Sequence, residues 1–244
     1  MVHPQGLDIG GGVGWNSFSN TDASNYDYQF VEQLITEIST TYNINSNRIY
    51  STGMSNGGFF SYDMACFMSN YFAAIASVTG SMISTHLSTC NPGRPLPVMQ
   101  IHGTSDPTVS YSGTGGIVAS TNIDQLVNFW VNYNNCSTST IYTALPNINT
   151  ADGCTAEHFV YEHPNGLGTV EFYKITNGLL TWPGTIFTSV GTNQDFSASK
   201  EIWRFFSKHE RPNLLASIEE KESPIAVYPN PSSNIINILL NDLN

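Results

Sequence analysis

Gly53-Met54-Ser55-Asn56-Gly57-Gly58 is the stretch on which the reading of this chain turns. It has the form G-x-S-x-G. The segment before it, Asn47-Arg48-Ile49-Tyr50-Ser51-Thr52, reads as a short buried strand. The segment after it, Phe59 to Asn70, is of helix length and contains no Pro or Gly. A serine on a tight strand-to-helix turn has its hydroxyl pushed out at the carboxyl end of a sheet. The glycines let the turn close where side chains would collide, and the helix N-terminus stabilises negative charge developing beside the serine. A Gly/Ser-rich loop has the same composition but not these flanks, so Ser55 is the candidate nucleophile.

Outward from this turn, strand and helix patterns alternate. Upstream, Val31, Leu34, Ile35, Ile38 and Tyr42 recur at helical spacing between about Asn25 and Tyr42, with Asp27 near the expected helix start. Downstream, Phe72 to Val78 reads as a buried strand, Ser81 to Pro95 as a loop and Leu96 to Ile101 as a further strand ending in His102-Gly103-Thr104-Ser105-Asp106. An Asp just beyond a strand's carboxyl end shares the sheet edge of the elbow serine, where α/β proteins place their sites. Ile123 to Tyr133 is an amphipathic helix and Gly168 to Ile175 alternates like a strand. Ser197 to His209 is a closing helix with Ile202, Trp203, Phe205 and Phe206 on its buried side. The alternation predicts an α/β fold, a mostly parallel sheet with helices on both faces.

The chain has 244 residues and a formal net charge of −11, yet only 11% of its residues are charged. Few Lys and Arg leave no electrostatic footprint for nucleic acid, and no apolar run reaches the length of a membrane span. A polar, charge-poor surface suits an exported protein. Cys66, Cys90, Cys136 and Cys154 include no C-x-x-C pair, which argues against a metal cluster. Of the three possible pairings, the one that joins Cys136–Cys154 together with Cys66–Cys90 is favoured, its first bridge ahead of its second, with four buried thiols as the alternative. After Arg211-Pro212 the character changes. Residues 1–212 read as one α/β domain, 213–224 as a linker and 225–244 as the start of another module that ends in a single strand.

Several stretches together resemble the secreted polyhydroxybutyrate-depolymerase-like and feruloyl-esterase-like branch of the α/β-hydrolases. They are Pro4-Gln5-Gly6 with Gly14-Trp15-Asn16, Arg48-Ile49-Tyr50 with the elbow, and Phe72-Ala73-Ala74-Ile75-Ala76. Arg94-Pro95-Leu96-Pro97, Ile101 to Asp106, Thr181-Trp182-Pro183-Gly184 and Ile202-Trp203-Arg204-Phe205-Phe206 continue the likeness, which runs from Val2 to about His209. The tail Val227-Tyr228-Pro229-Asn230-Pro231 is similar to the sorting domain of the type IX secretion route of Bacteroidetes-type bacteria. The resemblance implies Ser55 as nucleophile, Asp106 as the acid that orients the base, and the Asn56 backbone N–H as an oxyanion donor. It implies no cofactor, an ester-bearing small molecule or polymer as substrate, and a secreted or cell-surface bacterial location reached by secretion machinery that recognises the tail. Trp15 and Trp182 are candidates for lining the substrate pocket, or else for packing at core or rim.

Two departures from the family pattern matter. The base of the family sits in a Gly-Gly-His stretch before Thr-Trp-Pro-Gly; here the residues are Gly178, Leu179 and Leu180, and a leucine cannot take a proton from Ser55. His163 is the substitute to consider, with His158 beside it. His102 reads as part of the Asp106 loop, and His3, His86 and His209 have no supporting context. Removing a triad member costs on the order of 10⁴ to 10⁶ in kcat. The second departure is at the start: the first strands of the family, with the loop that supplies the second oxyanion donor, precede Met1 in the pattern. The expectation is therefore a fragment of a longer product, whose elbow strand lacks a neighbour. The leading reading is a serine esterase of impaired activity. The alternative is an inactive relative that binds an ester or polysaccharide ligand; a serine peptidase on the same fold fits less well.

Overall fold

The computed structural model describes residues 1–10, 12–18, 24–114, 116 and 119–212, with the backbone of 225–228 and 237–240. Two compact units result, Met1–Arg211 and Pro212–Asn244. The first begins with β1 (Leu7–Asp8) and β2 (Val13–Gly14), a small antiparallel pair, followed by α1 (Tyr26–Thr41). Then come β3 (Tyr50–Met54), α2 (Asn56–Phe67), β4 (Ala74–Val78), α3 (Ser84–Thr89), β5 (Val98–Gly103) and α4 (Ile123–Tyr133). The unit ends with β6 (Ile141–Ala144), β7 (Thr155–Tyr161), β8 (Val170–Thr176) and α5 (Ala198–Ser207).

A six-stranded sheet in the order β3-β4-β5-β8-β7-β6 organises this unit. The first four strands are parallel; β7 runs antiparallel to β8, and β6 runs antiparallel to β7 and so points the same way as the first four. The alternation of strand and helix therefore stops after α4, where β6, β7 and β8 form a meander that the sequence pattern did not suggest. β4 and β5 are buried at every residue because helices cover both of their faces. On one face, Tyr62 of α2 and Leu126 and Trp130 of α4 pack over Ile75, Val98 and Phe172. On the other, Ile202, Phe205 and Phe206 of α5 pack over Ala76, Met99 and Tyr173. The elbow strand β3 lies at the end of the order and is only half buried. Residues 1–6 form no strand beside it.

Several expectations are corrected. The segment read as a loop from Ser81 to Pro95 contains α3. Trp203 is 65% exposed, because the buried stripe of α5 follows Ala198, Ile202 and Phe205–Phe206, and Trp203 falls a quarter-turn outside it. Only the first turns of α1 are buried, at Asp27, Tyr28 and Val31, while Tyr42 is exposed. The disulfide is Cys66–Cys90, which ties the end of α2 to the residue after α3. Cys136 and Cys154 are free. Cys154 precedes the first residue of β7, whereas Cys136 lies by its far end, since Ser137 donates to the Glu162 carbonyl. The seven residues of β7 separate them by roughly 20 Å, far beyond the span of a disulfide.

The second unit contains β9 (Ile225–Tyr228) paired antiparallel with β10 (Asn237–Leu240), so two strands replace the one expected there. The linker at 213–224 and Pro229-Asn230-Pro231 lie outside the described residues.

Candidate active site

Ser55 is the residue between β3 and α2, and it sits at φ 51°, ψ −117°. A non-glycine residue in the left-handed region stores about 1–3 kcal/mol. The conformation is held because the Ser55 N–H donates to the Val78 carbonyl on the neighbouring strand (2.9 Å). Close backbone packing explains two glycines: a Cβ on Gly53 would stand 2.5 Å from the Gly57 backbone, and one on Gly58 would stand 3.0 Å from Gly80. Gly57 meets nothing, so the collision argument holds for Gly53 and Gly58 but not for the last glycine of the motif. The Ser55 hydroxyl makes no capping bond to α2. Asn56 and Gly57 open the helix, where N–H groups have no carbonyl in a preceding turn to bond and can face an anion instead.

Asp106 follows β5, so it stands at the same carboxyl edge as Ser55, and its side chain is fully buried. Its Oδ1 accepts from the N–H groups of Thr108 and Val109, both at 2.9 Å. Its Oδ2 is buried with no hydrogen-bond partner among the described residues. His102 Nε2 lies 3.8 Å from that oxygen but donates to the Val109 carbonyl at 2.8 Å, and its Nδ1 accepts from Gln100 Nε2 at 3.0 Å. Burial lowers the His102 pKa and keeps the ring neutral. His102 is therefore a strut under the Asp106 turn, neither a base for Ser55 nor an ion-pair partner for Asp106. The strut continues inward, since Tyr62 of α2 donates to Gln100 Oε1 at 2.7 Å.

Leu180 follows β8, the parallel neighbour of β5, at the same edge. Its loop lies directly on the Asp106 loop: Ser105 N donates to the Gly178 carbonyl (3.0 Å), Asn177 N to Thr104 Oγ1 (3.0 Å), and a Cβ on Gly103 would collide with Gly178. The sheet thus brings Ser55, Asp106 and Leu180 to the ends of three parallel strands. His163 is not brought there. It lies beyond the end of β7, and β7 runs antiparallel to β8, so His163 stands at the opposite edge of the sheet. It accepts N–H bonds from Asn165 and Leu167 in a turn. His158 lies mid-strand, bonded to Glu171 Oε2 (2.8 Å) and stacked on Tyr173.

A cavity of about 530 Å³ adjoins Ser55, lined by His3, Gln5, Gly14, Trp15 and Asn56 among others. His3 is the residue that sequence reasoning passed over; it gave no motif signal and enters only because the chain start folds beside the elbow. Trp15 lines the cavity, with its ring stacked on Phe60 at 4.7 Å. Trp182 does not line it. Its Nε1 donates to Ser199 Oγ (3.0 Å) and it packs against the α5-side core. Asn56 also acts through its side chain. Its Oδ1 accepts from Trp15 N (2.7 Å) and its Nδ2 donates to the Trp15 carbonyl (2.9 Å), pinning the glycine-rich loop over the elbow. Asn16 N in turn donates to Asp27 Oδ2, whose pKa burial raises.

The comparisons agree with this architecture. The acetyl xylan esterase from Aspergillus awamori superposes with a TM-score of 0.54 at 14% identity, over 81% of this chain and 74% of that one. The fold is that of an α/β-hydrolase. In sequence, the chain is 31% identical over 118 residues to the bifunctional acetylxylan esterase/xylanase of Neocallimastix patriciarum, covering 48% of this chain and 16% of that protein. It is 28% identical over 114 residues to the probable feruloyl esterase C of Aspergillus niger, covering 46% of this chain and 37% of that one. The chain thus spans about a sixth and just over a third of these relatives. No protein-family model matches it. Among the described residues no helix is long and apolar enough to cross a membrane.

Proposed function

We propose that this chain is the hydrolase part of a carboxylic ester hydrolase in which Ser55 is the nucleophile, Asp106 the orienting acid and the Asn56 N–H an oxyanion donor. One observation carries the reading: a serine strained into the left-handed region at a strand–helix turn shares its sheet edge with a buried carboxylate that keeps one oxygen unpartnered. In this chemistry the Ser55 oxygen adds to the ester carbonyl, and the carbonyl oxygen becomes an oxyanion at the N-terminus of α2. The alcohol then leaves with a proton and water releases the acid. The proton needs an imidazole that reaches both Ser55 and Asp106, and at the position where the family carries it this chain has Leu180. As written, the chain is a poor catalyst.

The names of the relatives support acetylated or feruloylated polysaccharide as the ester source, with short polyesters as the other class the family resemblance implies. The Cys66–Cys90 bridge and the charge-poor composition support an oxidising, extracellular setting. The tail's likeness to a type IX sorting domain supplies the export route. A second reading rests on Leu180: a relative that keeps the cleft and binds an ester-bearing or polysaccharide ligand without cleaving it.

Hydrolysis of p-nitrophenyl acetate by the parent, Leu180→His, His3→Ala and Ser55→Ala separates these. The expected result is a parent near the Ser55→Ala blank and a gain on the order of 10³-fold or more in Leu180→His. A parent that already turns over through Ser55 points to another base, and His3 in the cavity is then the first to test. Rates at the blank for every variant leave the binding reading.

A further inference from the structure

We propose that the groove between α4 and the β7–β8 pair binds a neutral sugar unit, at a place separate from Ser55. The groove has a volume of about 300 Å³, at the lower end of the range for small-molecule sites. Its floor is aromatic, formed by Phe159 and Tyr161 of β7 and Phe172 of β8. Its rim is polar, formed by Asp124 and Asn128 of α4 and Lys174 of β8. Phe159 and Phe172 are directly paired across the two strands, with their ring centroids 5.9 Å apart. By strand spacing, β8 and β7 lie roughly 14 and 19 Å across the sheet from the elbow strand.

The rim selects the ligand class. Lys174 makes no ion pair among the described residues; its ammonium stands 5.2 Å over the Tyr111 ring. Tyr111 also donates to Asp124 Oδ1 at 2.5 Å. One tyrosine therefore contacts both charged groups, the ammonium through its ring and the carboxylate through its hydroxyl. A cationic ligand would meet Lys174 and an anionic one Asp124. A wholly apolar ligand would desolvate carboxylate, amide and ammonium without replacing their hydrogen bonds. A pyranose avoids all three penalties. Its C–H face lies on the aromatic floor, and its hydroxyls donate to Asp124 and accept from Lys174, with the Asn128 amide able to do either. The site is thus suited to hold part of a polysaccharide chain beside the enzyme while another part reaches the Ser55 edge.

The test is titration of the full chain with xylotetraose, followed by backbone amide NMR, with p-cresol as an apolar aromatic control. Saturable shifts at millimolar sugar are expected at Asn128, Phe159, Tyr161 and Lys174, and not at Ser55 or Asn56. Asp124→Ala and Asn128→Ala, both at exposed helix positions that leave the core intact, should each weaken sugar binding about fivefold. No saturable shift at tens of millimolar sugar overturns the proposal. So do shifts confined to the Ser55 cavity, or p-cresol binding at the groove as well as the sugar does and unchanged by either substitution. No ester bond is broken in the titration, so its outcome does not depend on whether Ser55 turns over.

Discussion

Glu171 and Asp106 are both buried carboxylates carried by the central sheet, and their surroundings differ. Glu171 sits in β8 under α5 with both oxygens occupied: His158 Nε2 is at 2.8 Å, and the Arg204 guanidinium bonds both oxygens. Burial pushes the Glu171 pKa up, but the hydrogen bonds from His158 and Arg204 outweigh it and hold the value at about 2. Asp106, at the carboxyl edge, has one oxygen fixed by two backbone N–H groups and the other left bare. An unsatisfied buried acceptor costs about 1–3 kcal/mol. One region closes its polar network and gains stability. The other keeps an acceptor open at the sheet edge that the Leu180 loop shares.

The largest stability effect should follow from opening the closed network. Glu171→Ala leaves His158 without its carboxylate and Arg204 with Glu201 alone, and should cost about 3 kcal/mol in urea denaturation. The same contrast has a pH signature. The folded pKa of Glu171 lies below the ordinary 4.5, so between these values the native state binds fewer protons than the unfolded chain. Its contribution is complete above pH 4.5 and is lost as pH falls toward 2, a change on the order of 3 kcal/mol. Glu171→Gln should remove that part of the acid slope; an unchanged slope would break the comparison. A smaller effect is expected at the elbow. Ser55→Gly should stabilise the fold by about 1 kcal/mol, because glycine adopts φ 51° without strain, whereas Ser55→Ala should not. Equal stabilities for the two variants would remove strain from the account of the site.

What could be read in the sequence was local. The elbow needs a strand, a serine between glycines and a helix, all within about twenty residues, and Asp106 needs only a strand end. The meander of β6 and β7 was not readable: all four residues of β6 are exposed, so no buried period marks it. Of the two bridges expected, Cys66–Cys90 is present, and Cys136–Cys154 failed for a related reason, because composition does not say which edge of the sheet each residue reaches. The Asn56 clamp joins residues 41 apart and leaves no local signal. Among the described residues, three of the four non-glycine residues with positive φ, Ser55, Thr79 and Asn177, follow β3, β4 and β8 at the carboxyl edge. Strain gathers where the sequence motif predicts chemistry, which is information that only the fold supplies.

The most direct test of the central claim, that the bare Asp106 oxygen is the acceptor for a base missing at position 180, is the dependence of rescue on Asp106. Hydrolysis of p-nitrophenyl acetate would be measured for the parent, Leu180→His, Asp106→Asn and the double variant. The account predicts a large gain in kcat/KM for Leu180→His that falls by on the order of 10⁴ when Asp106 becomes Asn. A gain that survives intact in the double variant, or no gain in Leu180→His at all, would contradict it.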